Sequence, residues 1–123
     1  MHMLYDLHKA TVRYDLVFNL LSVRRQDSKT TYALRVGSVA VHFHKNEPVG
    51  LEFSDAENFL KKMFNKHDLN RGLLSKITSA RFGFSTTKSD ILILIAFILP
   101  NRETINATYT IPNMISKEIA IRA

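Results

Sequence analysis

Ile91-Leu92-Ile93-Leu94-Ile95-Ala96-Phe97-Ile98-Leu99 is the stretch whose reading decides the fold. It is apolar throughout, fenced by Ser89-Asp90 before it and Pro100-Asn101 after it. A membrane helix needs about 20 apolar residues. This run is much shorter, and charges stand close by at Lys88, Asp90 and Arg102. Periodicity cannot separate helix from strand where every residue is apolar. Composition can: the run is rich in isoleucine, with one phenylalanine, and β-branched and aromatic side chains favour a pleated, packed surface. A strand of roughly 30 Å is expected. Ile91, Ile93, Ile95, Phe97 and Leu99 would then face one way, and Leu92, Leu94, Ala96 and Ile98 the other. Both faces are apolar, so both are expected to be covered by helices, a second sheet or another subunit.

Working towards the N-terminus, Ile77 to Thr86 alternates Ala80, Phe82 and Phe84 against Arg81, Gly83 and Ser85, as a strand does. The stretch 68–76 reads as a loop with at most one helical turn. Ser54-Asp55-Ala56-Glu57 has the form of a capping box opening a helix that runs to about Lys66. Ala56, Phe59, Leu60, Met63 and Phe64 form its buried stripe. Earlier still, Thr11 to Val23 reads as one long strand with Val12, Tyr14, Leu16, Phe18 and Leu20 on one face. Thr30 to His44 reads as a second, whose apolar parity switches at Gly37-Ser38, predicting a β-bulge or bend. A short strand, 49–53, follows a turn at Lys45-Asn46-Glu47-Pro48.

On the C-terminal side, Ile105, Ala107, Tyr109 and Ile111 alternate against Asn106, Thr108 and Thr110 as another strand. Met114 to Arg122 has the spacing of a short helix. The expected fold is a single α+β domain over 1–123, with antiparallel β-meanders and two helices. The order βββα-βββα suggests an internal duplication.

Composition narrows the function classes. The chain has 123 residues, no cysteine and a formal net charge of +6, with a pI of about 9.8. Disulfides and thiolate metal sites are excluded. No basic region followed by an apolar core opens the chain, so a cytoplasmic location, away from membranes, is expected. With four glycines and no glycine-framed nucleophile, there is no phosphate-cradling loop or dinucleotide fingerprint. The basic excess is dispersed: residues 1–53 hold seven Lys/Arg against five Asp/Glu, and 54–76 and 77–123 each hold five against three. Any basic surface must be assembled by folding.

The leading expectation is a small non-catalytic protein that binds nucleic acid, single-stranded or backbone-directed, through a basic sheet face. Arg13, Arg24, Arg25, Arg35, Arg81 and Lys88 are its candidate binding residues. Tyr14, Phe18, Tyr32, Phe82, Phe84 and Tyr109 have the parity of core residues instead. The excess of apolar sheet surface predicts a homodimer joined through sheet faces. A second reading is a protein-binding accessory or inhibitor, of the kind mobile elements encode, acting as a homo-oligomer. A third is a histidine-dependent phosphodiesterase or nuclease. His42-Phe43-His44 places two imidazoles on one strand face, a weak candidate for metal or acid–base work; two solvent-facing histidines before a turn are the plainer reading. No cofactor and no metal are expected.

Overall fold

A computed structural model describes residues 7–113. In chain order they form β1 (His8–Asp15), β2 (Leu20–Arg25), β3 (Tyr32–Val36), β4 (Val39–His44) and β5 (Glu47–Phe53). Two helices follow, α1 (Ala56–Met63) and α2 (Arg71–Leu74), then β6 (Ser79–Thr86), β7 (Asp90–Ile98) and β8 (Thr104–Pro112). The strands make one antiparallel sheet in the spatial order β3-β4-β5-β2-β1-β6-β7-β8.

The antiparallel sheet with few helices matches the expected class, but the element order does not. Five strands precede the helices and three follow, so the βββα-βββα arrangement and its duplication are not found. The expected helix 114–122 lies outside the described residues. Two expected long strands are hairpins. Thr11–Val23 folds back between β1 and β2, because the Asp15 carboxylate accepts from the amides of Val17 (2.9 Å) and Phe18 (3.0 Å) and starts a turn. Asn19, in the left-handed region at φ 54°, closes it. Thr30–His44 folds back at Gly37, φ 60°, where Val36 stands opposite Val39. The parity switch is therefore the arithmetic of a two-residue turn and not a bulge. The register irregularity lies further on, between His42 and Phe43 where β4 meets β5.

The apolar run forms β7 up to Ile98; β7 is the penultimate strand, and Ile91–Ile98 pairs with both β6 and β8. Its two faces fare differently. Ile91, Ile93, Ile95, Phe97 and Leu99 are buried on the inner face, where each large side chain contributes about 1.5–3 kcal/mol. Leu92, Leu94 and Ile98 are only half-buried on the outer face. Ser85 and Thr110 flank Leu92, and Gly83 and Thr108 flank Leu94.

One ring shows how far the sheet curls. Phe59 of α1 lies 5.5 Å from Phe53 of β5 and 6.3 Å from Tyr109 of β8. Those strands are five steps apart in the sheet order, about 24 Å if the sheet were flat. The sheet is thus a half-barrel closed over α1. Phe64, just beyond the helix, packs on Phe97 at 5.3 Å. Leu60, Leu69, Leu74 and Ile77 fill the interior between helices and sheet.

The start of α1 departs from the capping box. The N-cap residue is Asp55, in the left-handed conformation and without a side-chain cap. The cap comes from the β1–β2 turn: Asn19 Oδ1 accepts from the Glu57 amide at 3.1 Å and from the Tyr14 hydroxyl at 2.7 Å. The Ala56 amide donates to the Asn19 carbonyl at 3.0 Å. Glu57 reaches forward instead of back, with Oε2 accepting from the Arg71 amide at 3.2 Å.

No helix among the described residues is long and apolar enough to cross a membrane.

Candidate nucleic-acid interface

Alternation along the paired strands sends one set of side chains away from α1. On β1 this outer set is Lys9, Thr11, Arg13 and Asp15; on β2 it is Leu20, Ser22 and Arg24; on β6 it is Ser79, Arg81, Gly83 and Ser85. Lys9 stands directly opposite Arg81, Thr11 opposite both Arg24 and Ser79, and Arg13 opposite Ser22. Four exposed cations on three adjacent strands therefore share one face. Like charges directly opposite one another on a sheet are destabilising, so Lys9 beside Arg81 costs the fold some stability and raises the local positive potential.

Beside them is a shallow depression of about 380 Å³ lined by Thr11, Arg13, Ser22, Arg24, Arg25 and Ser28. Guanidinium groups and hydroxyls make up its lining, with no carboxylate. Its chemistry suits a phosphate-sized anion, since guanidinium matches the oxygen geometry of phosphate and hydroxyls donate to it.

Arg24 is held along the sheet by its neighbours. Its Nη1 donates to Thr30 Oγ1 at 2.8 Å, and its Nη2 lies 3.4 Å from His42 Nε2. Gly50, opposite Arg24 on β5, makes room: a Cβ there would stand 2.6 Å from the Val23 carbonyl and 3.0 Å from Arg24 Cδ. His42 lies on the same outer face, opposite Gly50, with Nδ1 3.4 Å from Thr30 Oγ1. Its pKa is pushed below the ordinary histidine value, first by burial and then by the Arg24 guanidinium, with Glu52 opposing. The imidazole is therefore neutral at neutral pH.

The sequence candidates divide accordingly. Arg13, Arg24 and Arg81 converge. Arg25 borders the depression, but its side chain is only 9 % exposed and it forks onto Asp27 through Nε and Nη2, both at 3.1 Å. That pairing holds the Asp27 carboxyl below its usual range and neutralises the arginine. Arg35 shares the outer face, but Ala40, Glu52 and Ser22 separate it from Arg13, about 19 Å across the strands. Lys88 lies in the β6–β7 turn, beyond Thr86 and so more than about 17 Å along the strand from Arg81. Lys9 was missed, although its parity with Thr11 and Arg13 pointed to it.

Two further expectations concern chemistry and stacking. His42 and His44 share β4, but among the described residues no group of three or more His, Asp or Glu could hold a metal ion. The guanidinium beside His42 Nε2 also opposes a cation there. The strand aromatics Phe82, Phe84, Tyr14, Tyr32 and Tyr109 all belong to the inner core or pack against it. Phe18 does not. It stands 77 % exposed at the β1–β2 tip, beside Val17 at 81 % and Leu16 at 53 %.

Comparison of the chain with protein-family models, with curated proteins and with solved structures finds no match.

Proposed function

We propose that the protein binds nucleic acid through the phosphate backbone, using the outer sheet face around Lys9, Arg13, Arg24 and Arg81. The observation that carries this reading is the cross-strand pair Lys9–Arg81 beside a depression whose lining has guanidinium and hydroxyl groups and no carboxylate. Aromatic rings from the strands point inward, which favours backbone contact over base stacking and predicts weak sequence preference. The protein acts without catalysis and as a homodimer. Titration of a labelled duplex and a labelled single strand across a salt series tests the reading. Log affinity should fall linearly with log salt, by about 0.9 per phosphate contacted on a duplex. No binding at low salt, or a flat response, overturns it.

A second reading, a protein-binding accessory, draws on the exposed Leu16-Val17-Phe18 tip. It predicts a partner that survives nuclease treatment and is lost on Phe18→Ser. The histidine-dependent nuclease reading is dropped if His42→Ala with His44→Ala leaves function intact.

A further inference from the structure

We infer that two copies of this chain join edge to edge through β8, as an antiparallel pair centred on Thr108. The inference sharpens the homodimer reading above by placing the contact on a strand edge instead of a sheet face. It is independent of what the basic face binds.

β8 is the last strand of the sheet, and the direction of its backbone groups can be read from its two ends. The Leu99 amide donates to the Glu103 carbonyl at 2.8 Å, and the Asn113 amide donates to the Ser89 carbonyl at 2.9 Å. Hydrogen-bonding direction alternates along a strand. Odd-numbered positions of β8 therefore bond to β7. The amides of Thr104, Asn106, Thr108 and Thr110 point away from it, as does the carbonyl of Pro112. Proline falls on the outward set, where the sheet needs no amide proton.

Among the described residues no strand pairs with this edge, and β8 itself lacks the usual protections. Edge strands are commonly short, charged, bulged or broken by proline. β8 spans nine residues, carries no charged residue, and pairs with β7 without a register shift. Its only proline is the last residue. The opposite edge, β3, is five residues long and carries Arg35.

A second copy fits the edge better than an arbitrary strand does. Two-fold pairing about Thr108 sets Thr104 against Pro112, Asn106 against Thr110 and Thr108 against itself. Each outward amide then meets a carbonyl of the other copy, and Pro112 is met only as an acceptor. On the inner face the same register places Ala107 opposite Tyr109 and Ile105 opposite Ile111, small against large and aliphatic against aliphatic. These four are half-buried or buried at the rim of the core, so pairing extends the apolar layer across the junction. The outer face receives only threonine, asparagine and proline. Residues keep their faces across such a pair, so both basic surfaces lie on the same side of the joined sheet.

The test is the mass of the full-length, nuclease-treated chain by sedimentation, with folding followed by thermal unfolding. The wild type should sediment at twice 14.1 kDa. Thr108→Pro removes only an outward amide and should leave a folded monomer. Thr108→Lys, which sets two ammonium groups opposite each other, should weaken association at least tenfold and serves if the proline variant does not fold. The chain has no cysteine, so Thr108→Cys should give a covalent dimer on oxidation, since hydrogen-bonded partners stand about 5.5 Å apart at Cα. Thr104→Cys should not cross-link. A monomeric wild type overturns both the edge contact and the homodimer. A dimer untouched by these substitutions overturns the edge contact alone and leaves a face contact. A monomer that captures an extended peptide along β8 overturns the second copy as occupant.

Discussion

Asn19 Oδ1 lies 3.1 Å from the Glu57 amide, so a turn between two strands caps a helix thirty-eight positions later. The same oxygen takes the Tyr14 hydroxyl, and Asn19 Nδ2 reaches Asp55 at 3.3 Å. The Asn19 side chain is almost fully buried, so its loss leaves donors without partners. Asn19→Ala should destabilise the protein by about 2–3 kcal/mol, from the lost cap together with an unsatisfied buried donor. Asn19→Gly should cost less than Ala on the backbone side, since its left-handed conformation suits glycine. Urea unfolding of the three proteins checks the order.

Gly50 should tolerate no side chain. A methyl group there meets the Val23 carbonyl at 2.6 Å and Arg24 Cδ at 3.0 Å. Gly50→Ala should cost about 1–3 kcal/mol by overpacking and should also displace Arg24. Nucleic-acid affinity should therefore fall in a variant that still folds, measured by the same titration as the wild type.

Arg24 and Arg25 are neighbours in sequence but should differ in effect. Arg24→Ala should lower the slope of log affinity against log salt by about one unit, as the loss of a phosphate contact does. Arg25→Ala removes a charge already neutralised by Asp27 and should leave the slope nearly unchanged. Equal slopes for both variants would contradict the division drawn above.

His42 supplies a pH dependence with a definite sign. Its folded pKa lies below the unfolded value of about 6.5. As pH falls through that value, the unfolded chain takes up the proton first, so stability held at neutral pH is lost until the folded pKa is passed. A phosphate docked beside Arg24 would favour the imidazolium and raise that pKa. Affinity should then strengthen severalfold as pH falls from about 7.5 to about 5.5. His42→Gln should remove the change in affinity and reduce the acid loss of stability.

The tip of the β1–β2 turn should tolerate substitution. Val17→Ser and Phe18→Ser remove side chains that touch water in the monomer and should change stability by less than about 0.5 kcal/mol. Phe97→Ala empties a fully buried site beside Phe64 and should cost about 3–5 kcal/mol. Thermal unfolding separates the two classes.

Elements announced by their own residues were legible in the sequence, and those set by distant partners were not. β7 was legible as a strand because its run is rich in isoleucine, but its place beside the edge was not, since that depends on pairing. The inner and outer faces of β1, β6 and β8 followed from alternation. The β1–β2 turn was hidden because its tip, Leu16-Val17-Phe18, reads as strand; the turn is set by Asp15 and Asn19 on either side. Ser54 matched a capping box, yet a residue from another hairpin took its role. Arg13 and Arg81 were visible as outer-face positions of their strands, together with Arg35, but Arg24 joins them only through the β1–β2 hairpin, which sets it opposite Thr11. The pairing of Lys9 with Arg81 needed the β1–β6 seam, which joins residues far apart in the chain.

That seam also governs how the chain reaches this state. β1–β2, β3–β4, β4–β5, β6–β7 and β7–β8 are hairpins between sequence neighbours and can form quickly. Joining β2 to β5 and β1 to β6 closes longer loops, and Ala10 must find Ala80 across most of the domain. Folding should therefore be limited by the docking of two preformed meanders onto the β1–β2 hairpin. Until then the C-terminal meander presents β7, apolar on both faces, to water. Chaperone dependence and concentration-dependent loss during refolding should originate there.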